Sequence, residues 1–208
     1  MDCFRFLPEG CISEILSLTS PKDAARASAV SQTFIVFSLD KKTGKKCFMV
    51  AARELCITWG DTPEYWEWLS HPDSRFSEVA KLNLVWWLDI RGKIATRILS
   101  KRTQYFVYLV FKLEDGFYGL GNANAVVRFV DSETDYEAEQ RAKVVHFPGR
   151  EPRVKLPLKR GDGWMELKMG NFFNNTGEDG EVEARLMEIR HLGAKRGLIV
   201  QGIEFRPE

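Results

Sequence analysis

From residue 84 onward the chain repeats one pattern: a short run of alternating apolar and polar residues, then a turn built on glycine. Asp115-Gly116, Gly161-Asp162-Gly163 and Asp179-Gly180 are the clearest of these turns. An Asp-Gly pair supplies the positive φ that tight hairpins need. Between them, residues 84–91 set Trp86, Leu88 and Ile90 on one face and Trp87, Asp89 and Arg91 on the other. Residues 104–113 are apolar on both faces, as in a central strand covered from both sides. Further runs occupy residues 125–130, 143–147, 164–172 and 181–190, and a last one places Ile199, Ile203 and Phe205 together. The acidic, turn-rich interval 131–140 reads as an exposed loop. The series predicts a mainly β fold, an antiparallel β-sandwich of jelly-roll-like form.

The densest aromatic stretch precedes that series. Ile57-Thr58-Trp59-Gly60-Asp61-Thr62-Pro63-Glu64-Tyr65-Trp66-Glu67-Trp68 holds three tryptophans and a tyrosine. Residues 55–59 read as a short strand, ended by a Gly-Asp-Thr-Pro turn. An extended run then restarts, with Trp66 and Trp68 on one face and Tyr65 and Glu67 on the other. Two readings fit. The indoles are core, since they bury large apolar areas. Alternatively, one or two of them flank a ligand site, with Asp61, Glu64 and Glu67 as acceptors. A sugar ring suits such a place, because its C–H face stacks on indole while its hydroxyls need polar partners.

Composition narrows the class. At 208 residues, 44% hydrophobic and 28% charged, the chain has enough material for one core plus a small appendage. A net charge of +1 gives no general attraction to nucleic acid or to an acidic membrane. All four cysteines (Cys3, Cys11, Cys47, Cys56) lie at the N-terminal end, with no C-x-x-C pair, which suits free thiols in a reducing compartment. No apolar signal region opens the chain, so Asn174-Asn175-Thr176 reads as a chance glycosylation match. A protein of the nucleus and cytoplasm is expected. Lys41-Lys42-Thr43-Gly44-Lys45-Lys46 is either a nuclear-import signal or a solvated turn.

The first residues differ in character. Residues 9–18 place Ile12, Ile15 and Leu16 on one helical face, and Ser20-Pro21-Lys22-Asp23 starts a second helix with Ser as N-cap and Pro at its first position. Ala27, Val30 and Phe34 are available to pack from that helix. The helical part runs from residue 7 to about 37. Two helices this short need a partner to bury their apolar faces.

Ala52-Arg53-Glu54-Leu55-Cys56-Ile57-Thr58-Trp59-Gly60-Asp61-Thr62-Pro63-Glu64-Tyr65-Trp66-Glu67-Trp68 resembles the opening of a phloem protein 2 domain, the Nictaba-like plant lectin family. The lead-in at residues 39–49, Trp87-Leu88-Asp89-Ile90-Arg91-Gly92-Lys93 and the closing run at 197–207 are similar to the same family, in the same order. The resemblance implies a lectin sandwich that binds N-acetylglucosamine oligomers or the core of N-glycans. Binding there depends on two tryptophans, and Trp59 and Trp66 match both positions and their spacing, with Asp61 and Glu67 as polar partners.

Residues 7–23 resemble an F-box, and residues 27–34 continue the match. An F-box implies docking on the Skp-type adaptor of a cullin ubiquitin ligase, here through Leu7, Pro8, Ile12, Ile15, Leu16, Val30 and Phe34. The family's third helical segment is absent between Phe37 and Lys41, so weaker adaptor binding is expected. Together these divide the chain into a shortened F-box-like segment at 1–40 and a lectin domain at 41–208.

Catalytic signals are sparse. His71, His146 and His191 are scattered, with no metal-holding pair, and neither a Gly-x-Ser-x-Gly elbow nor a phosphate loop occurs. The cluster Glu178-Asp179-Gly180-Glu181-Glu183 offers either glycosidase carboxylates or a solvated hairpin. The expectation is a non-enzyme without metal or cofactor: a carbohydrate-binding, substrate-recognition subunit of an SCF-type ubiquitin ligase. The alternative is a non-catalytic protein-interaction sandwich that has lost sugar binding or adaptor docking.

Overall fold

The structure, a computed structural model, describes residues 35–148, 157–191 and 193–208. The expected helices and the adaptor residues Leu7, Pro8, Ile12, Ile15, Leu16, Val30 and Phe34 lie outside the described residues. What is described is mainly β and antiparallel throughout.

Two sheets make the body. The larger has eight strands. Along its main path run β1 (Ile35–Leu39), β2 (Lys46–Ala51), β13 (Arg196–Pro207), β7 (Thr103–Tyr118), β11 (Met165–Asn174) and β10 (Leu158–Lys159). The hairpin of β4 (Trp66–Leu69) and β5 (Val79–Leu82) joins it beside β13. The smaller sheet orders β3 (Cys56–Ile57), β6 (Leu88–Ala95), β12 (Glu181–Glu188), β8 (Asn122–Phe129) and β9 (Lys143–His146). Both contribute to one apolar core: Val107, Leu109, Phe111, Ile203 and Phe205 from the larger, Leu88, Ile90, Ala184 and Leu186 from the smaller. Each buried valine, leucine, isoleucine or phenylalanine there contributes about 1.5–3 kcal/mol. A second cluster (Met49, Val79, Val110, Phe76, Trp164) covers part of the larger sheet's other face, so β7 is buried from both sides.

Several boundaries differ from the expectations. Strand structure begins at Ile35, inside the stretch read as helical, because Phe37 is buried against Phe48 with ring centroids 5.2 Å apart. The lysine-rich segment forms the β1–β2 turn, closed by the Asp40 and Lys45 backbone groups. Asp115-Gly116 does not end its strand: β7 continues to Tyr118, and Gly116 sits within it at φ +78°. Asp179-Gly180 makes no hairpin either, since β11 and β12 belong to different sheets and the turn ends a crossover. Ile199 faces away from Ile203 and Phe205, because a bulge between Val200 and Gly202 shifts the alternation.

The interval read as a loop contains α1 (Asp135–Arg141), whose N-terminus carries a full capping box between Thr134 and Glu137. This helix lies over charged residues of the smaller sheet. Arg185 grips Asp89 with two bonds of 2.9 and 2.7 Å and reaches Glu139 at 2.6 Å. Arg128 meets Glu183 at 2.9 Å and also Asp135, and Arg91 meets Asp135 at 2.6 Å.

Candidate functional site

Strands β3 and β4 lie in different sheets, and residues 58–65 connect them across one end of the body. Successive one-turn hydrogen bonds tighten this connection: Gly60 N to Ile57 O (2.9 Å), Thr62 N to Trp59 O (2.9 Å) and Tyr65 N to Thr62 O (2.9 Å). The tight winding puts Trp59 at φ +58°, the left-handed region that a bulky L-residue rarely adopts. Its indole remains 47% exposed. The Tyr65 ring backs it, with centroids 5.2 Å apart.

A chain of contacts fixes that turn from below. The Trp68 indole N–H donates to Gly60 O at 2.9 Å. The Arg53 guanidinium stacks on the Trp68 ring, 3.8 Å from its centroid, and makes two bonds to Glu78 at 2.8 and 3.1 Å. That pairing holds the Glu78 carboxyl below its ordinary range. The residue next to Trp59 is therefore tied to the sheet by a ring, a cation and a carboxylate in series.

The four residues expected to form the sugar site take different places. Trp59 is exposed, and Asp61 is exposed two positions on, in the same turn. Trp66 is 2% exposed and belongs to the core, and its indole N–H has no partner among the described residues. It offers no open face. Glu67 alternates to the side of β4 opposite Trp66 and Trp68, where Lys81 meets it at 3.4 Å. The turn thus carries Trp59, Asp61 and Tyr65, while Glu67 lies on the other face of β4 from Trp66 and Trp68.

Alternation places Trp86 on the core face, and the structure departs from that. Trp86 does not share the buried face of Leu88 and Ile90, because β6 begins only at Leu88. Trp86 and Trp87 lie in the 83–87 connection and are 47% and 38% exposed. The sequence signal against a strand there is weak, consisting of little more than Asn83 after β5.

The residues of the acidic cluster take different environments. Glu183 is buried under Arg128 on the smaller sheet, while Glu181 is exposed at the start of β12. Among the described residues no group of three histidine, cysteine or acidic side chains is placed to hold a metal.

Residues 45–207 match the protein-family description Phloem protein 2. Three relatives from Arabidopsis thaliana span nearly the whole chain. F-box protein PP2-B10 is 38% identical over 98% of this chain and 94% of its own length. Putative F-box protein PP2-B2 is 38% identical over 98% and 83%. F-box protein VBF is 31% identical over 97% and 99%. The alignment with the first runs over 257 positions against 208 residues here, so that relative carries stretches this chain lacks. By the match and by these identities, the chain belongs to the phloem protein 2 family, among its plant F-box proteins.

Proposed function

We propose that this protein is a non-catalytic, carbohydrate-binding member of its family, whose jelly-roll-like sandwich presents Trp59 as the platform for a sugar ring. The observation that carries the reading is the Trp59 backbone: a bulky residue held at φ +58° with its indole half exposed. Such a conformation costs of order 1–3 kcal/mol and persists only where the surroundings over-determine it, which favours a functional reason for presenting the ring. Tyr65 stiffens the platform from one side, and Asp61 supplies an acceptor for a sugar hydroxyl. Trp66 acts from beneath, through the packing of β4. N-acetylglucosamine oligomers and N-glycan cores are the ligands that the family resemblance favours.

In this reading the N-terminal segment joins glycoprotein recognition to an SCF-type ubiquitin ligase in the nucleus and cytoplasm. The relatives are named as F-box proteins. The segment lacks the third helix of a full F-box, so its grip on a Skp-type adaptor is weaker than that of a complete relative. A glycan array with the purified protein tests the class of ligand, and binding concentrated on glycans that end in or expose N-acetylglucosamine is the expected result. An array without glycan binding favours the protein-interaction sandwich instead. Calorimetry against the adaptor, with a complete relative as control, tests the second half of the reading, and equal affinities would contradict it.

A further inference from the structure

The connection 58–65 has a neighbour that runs antiparallel to it. Residues 83–87 also pass from the larger sheet to the smaller, leaving β5 and entering β6. The two connections are bonded at both ends. Asn83 N donates to Tyr65 O (2.9 Å) and its side chain to Pro63 O (3.0 Å). At the other end Thr58 N donates to Asp89 O (3.0 Å). One connection carries Trp59 and the other carries Trp86 and Trp87, so a hydrogen-bonded pair of connections bears three exposed indoles.

The second connection is held as firmly as the first. Val85 exchanges both backbone bonds with Lys195 (3.0 and 2.7 Å). The Lys195 ammonium, 2% exposed, donates to Trp86 O (2.9 Å), Gly193 O (2.8 Å) and His191 O (3.1 Å), and pairs with Glu188. Taking a lysine out of water is costly unless its partners are this complete. Here the buried cation anchors the carbonyl of an exposed tryptophan. A third strip adjoins it: Gly119 packs so close to Ala194 that a Cβ would lie 2.0 Å from its carbonyl oxygen, and Tyr118, beside that glycine, is 46% exposed.

We propose that Trp86 and Trp87 form a second aromatic subsite, with Tyr118 at its margin, that extends the Trp59 platform to further rings of an oligosaccharide. Lys195 is its positioning residue. The extension rests on the reading of Trp59 as a sugar platform. Rigid exposed indoles suit a ligand whose repeating units each offer a C–H face and a rim of hydroxyls, and adjacent platforms select for chain length.

Calorimetric titration of the full chain with chitobiose and with chitohexaose tests it. The Trp86→Ala/Trp87→Ala variant should lose about tenfold in affinity for chitohexaose and keep its affinity for chitobiose. Trp59→Ala should weaken both. The more conservative Trp86→Phe/Trp87→Phe pair, which keeps an aromatic ring at each position, should lower chitohexaose affinity alone and by a smaller factor. Lys195→Met should reproduce the chitohexaose-selective loss. Equal loss on both sugars, or loss on neither, from the double variant overturns the second subsite while Trp59→Ala still judges the first. A wild-type protein that binds neither probe overturns both.

Discussion

The rings of Trp59 and Tyr65 meet with centroids 5.2 Å apart and planes inclined by 39°. Tyr65 closes the connection that begins just before Trp59, so the loop's two ends brace one indole. The contact explains how an exposed aromatic side chain keeps one orientation, and it makes the cost of the Trp59 backbone measurable.

Replacing Trp59 by glycine relieves the left-handed strain and removes the Tyr65 contact. The first effect is worth about 1–3 kcal/mol and the second about 0.5–1.5 kcal/mol in the opposite direction. Glycine's own flexibility in the unfolded chain subtracts roughly 0.5–1 kcal/mol. Trp59→Gly should therefore leave stability, read by urea unfolding, between about 1.5 kcal/mol lower and about 2 kcal/mol higher. A much larger loss would mean that Trp59 is a core residue.

Trp66 should behave in the opposite way. It is enclosed by the core, and truncation of a buried tryptophan costs about 3–5 kcal/mol. Urea titration of Trp66→Ala should show that loss. Equal stabilities for Trp66→Ala and the wild type would contradict the buried position.

Arg53 supports the site at one remove. Its stacking on Trp68 is worth about 0.5–1 kcal/mol at a partly exposed position. Arg53→Ala should leave the fold intact yet let the Gly60 turn relax. Sugar affinity should fall about twofold to fivefold, the equivalent of that stacking energy. Unchanged affinity would show that the turn holds itself.

The cover of α1 over the smaller sheet should be sensitive to acid. The hydrogen bond from Arg91 lowers the Asp135 carboxyl below 3.8, and that from Arg141 lowers Glu133 below 4.5. A depressed folded value means that the stabilisation is present above the unfolded value and is lost as pH falls through the folded one. Hydrogen exchange of the α1 amides should therefore lose protection below about pH 4, ahead of the β7 and β13 amides. Simultaneous loss across helix and sheet would show that these pairs do not govern the helix. The Asp135 side chain is half exposed while Glu133 is largely covered by Arg141, so the Asp135 contribution is local rather than global.

Strand existence was legible in this chain because alternation is a local property. Leu88 and Ile90 face the core and Asp89 and Arg91 take the opposite face, beneath α1, as their spacing requires. What needed the structure was anything that depends on partners. Trp86 alternates with Leu88, but Lys195 pins its carbonyl before β6 begins. Asp115-Gly116 has the chemistry of a turn, but the pairing of Leu113 and Tyr118 with β13 carries the strand past it. The α1 helix had a readable Thr134-x-x-Glu137 signal that an acidic, polar surrounding concealed. Trp59 and Trp66 look alike in the sequence, and only the tight winding of residues 57–65 separates an exposed indole from a buried one.

The central claim, that Trp59 is presented to a sugar, is tested most directly by titrating a chito-oligosaccharide into the wild type and into Trp59→Gly under calorimetry. The wild type should bind saturably, and the folded variant should bind at least about tenfold more weakly, a loss of ~1.4 kcal/mol. Equal affinity in a folded Trp59→Gly protein would contradict it.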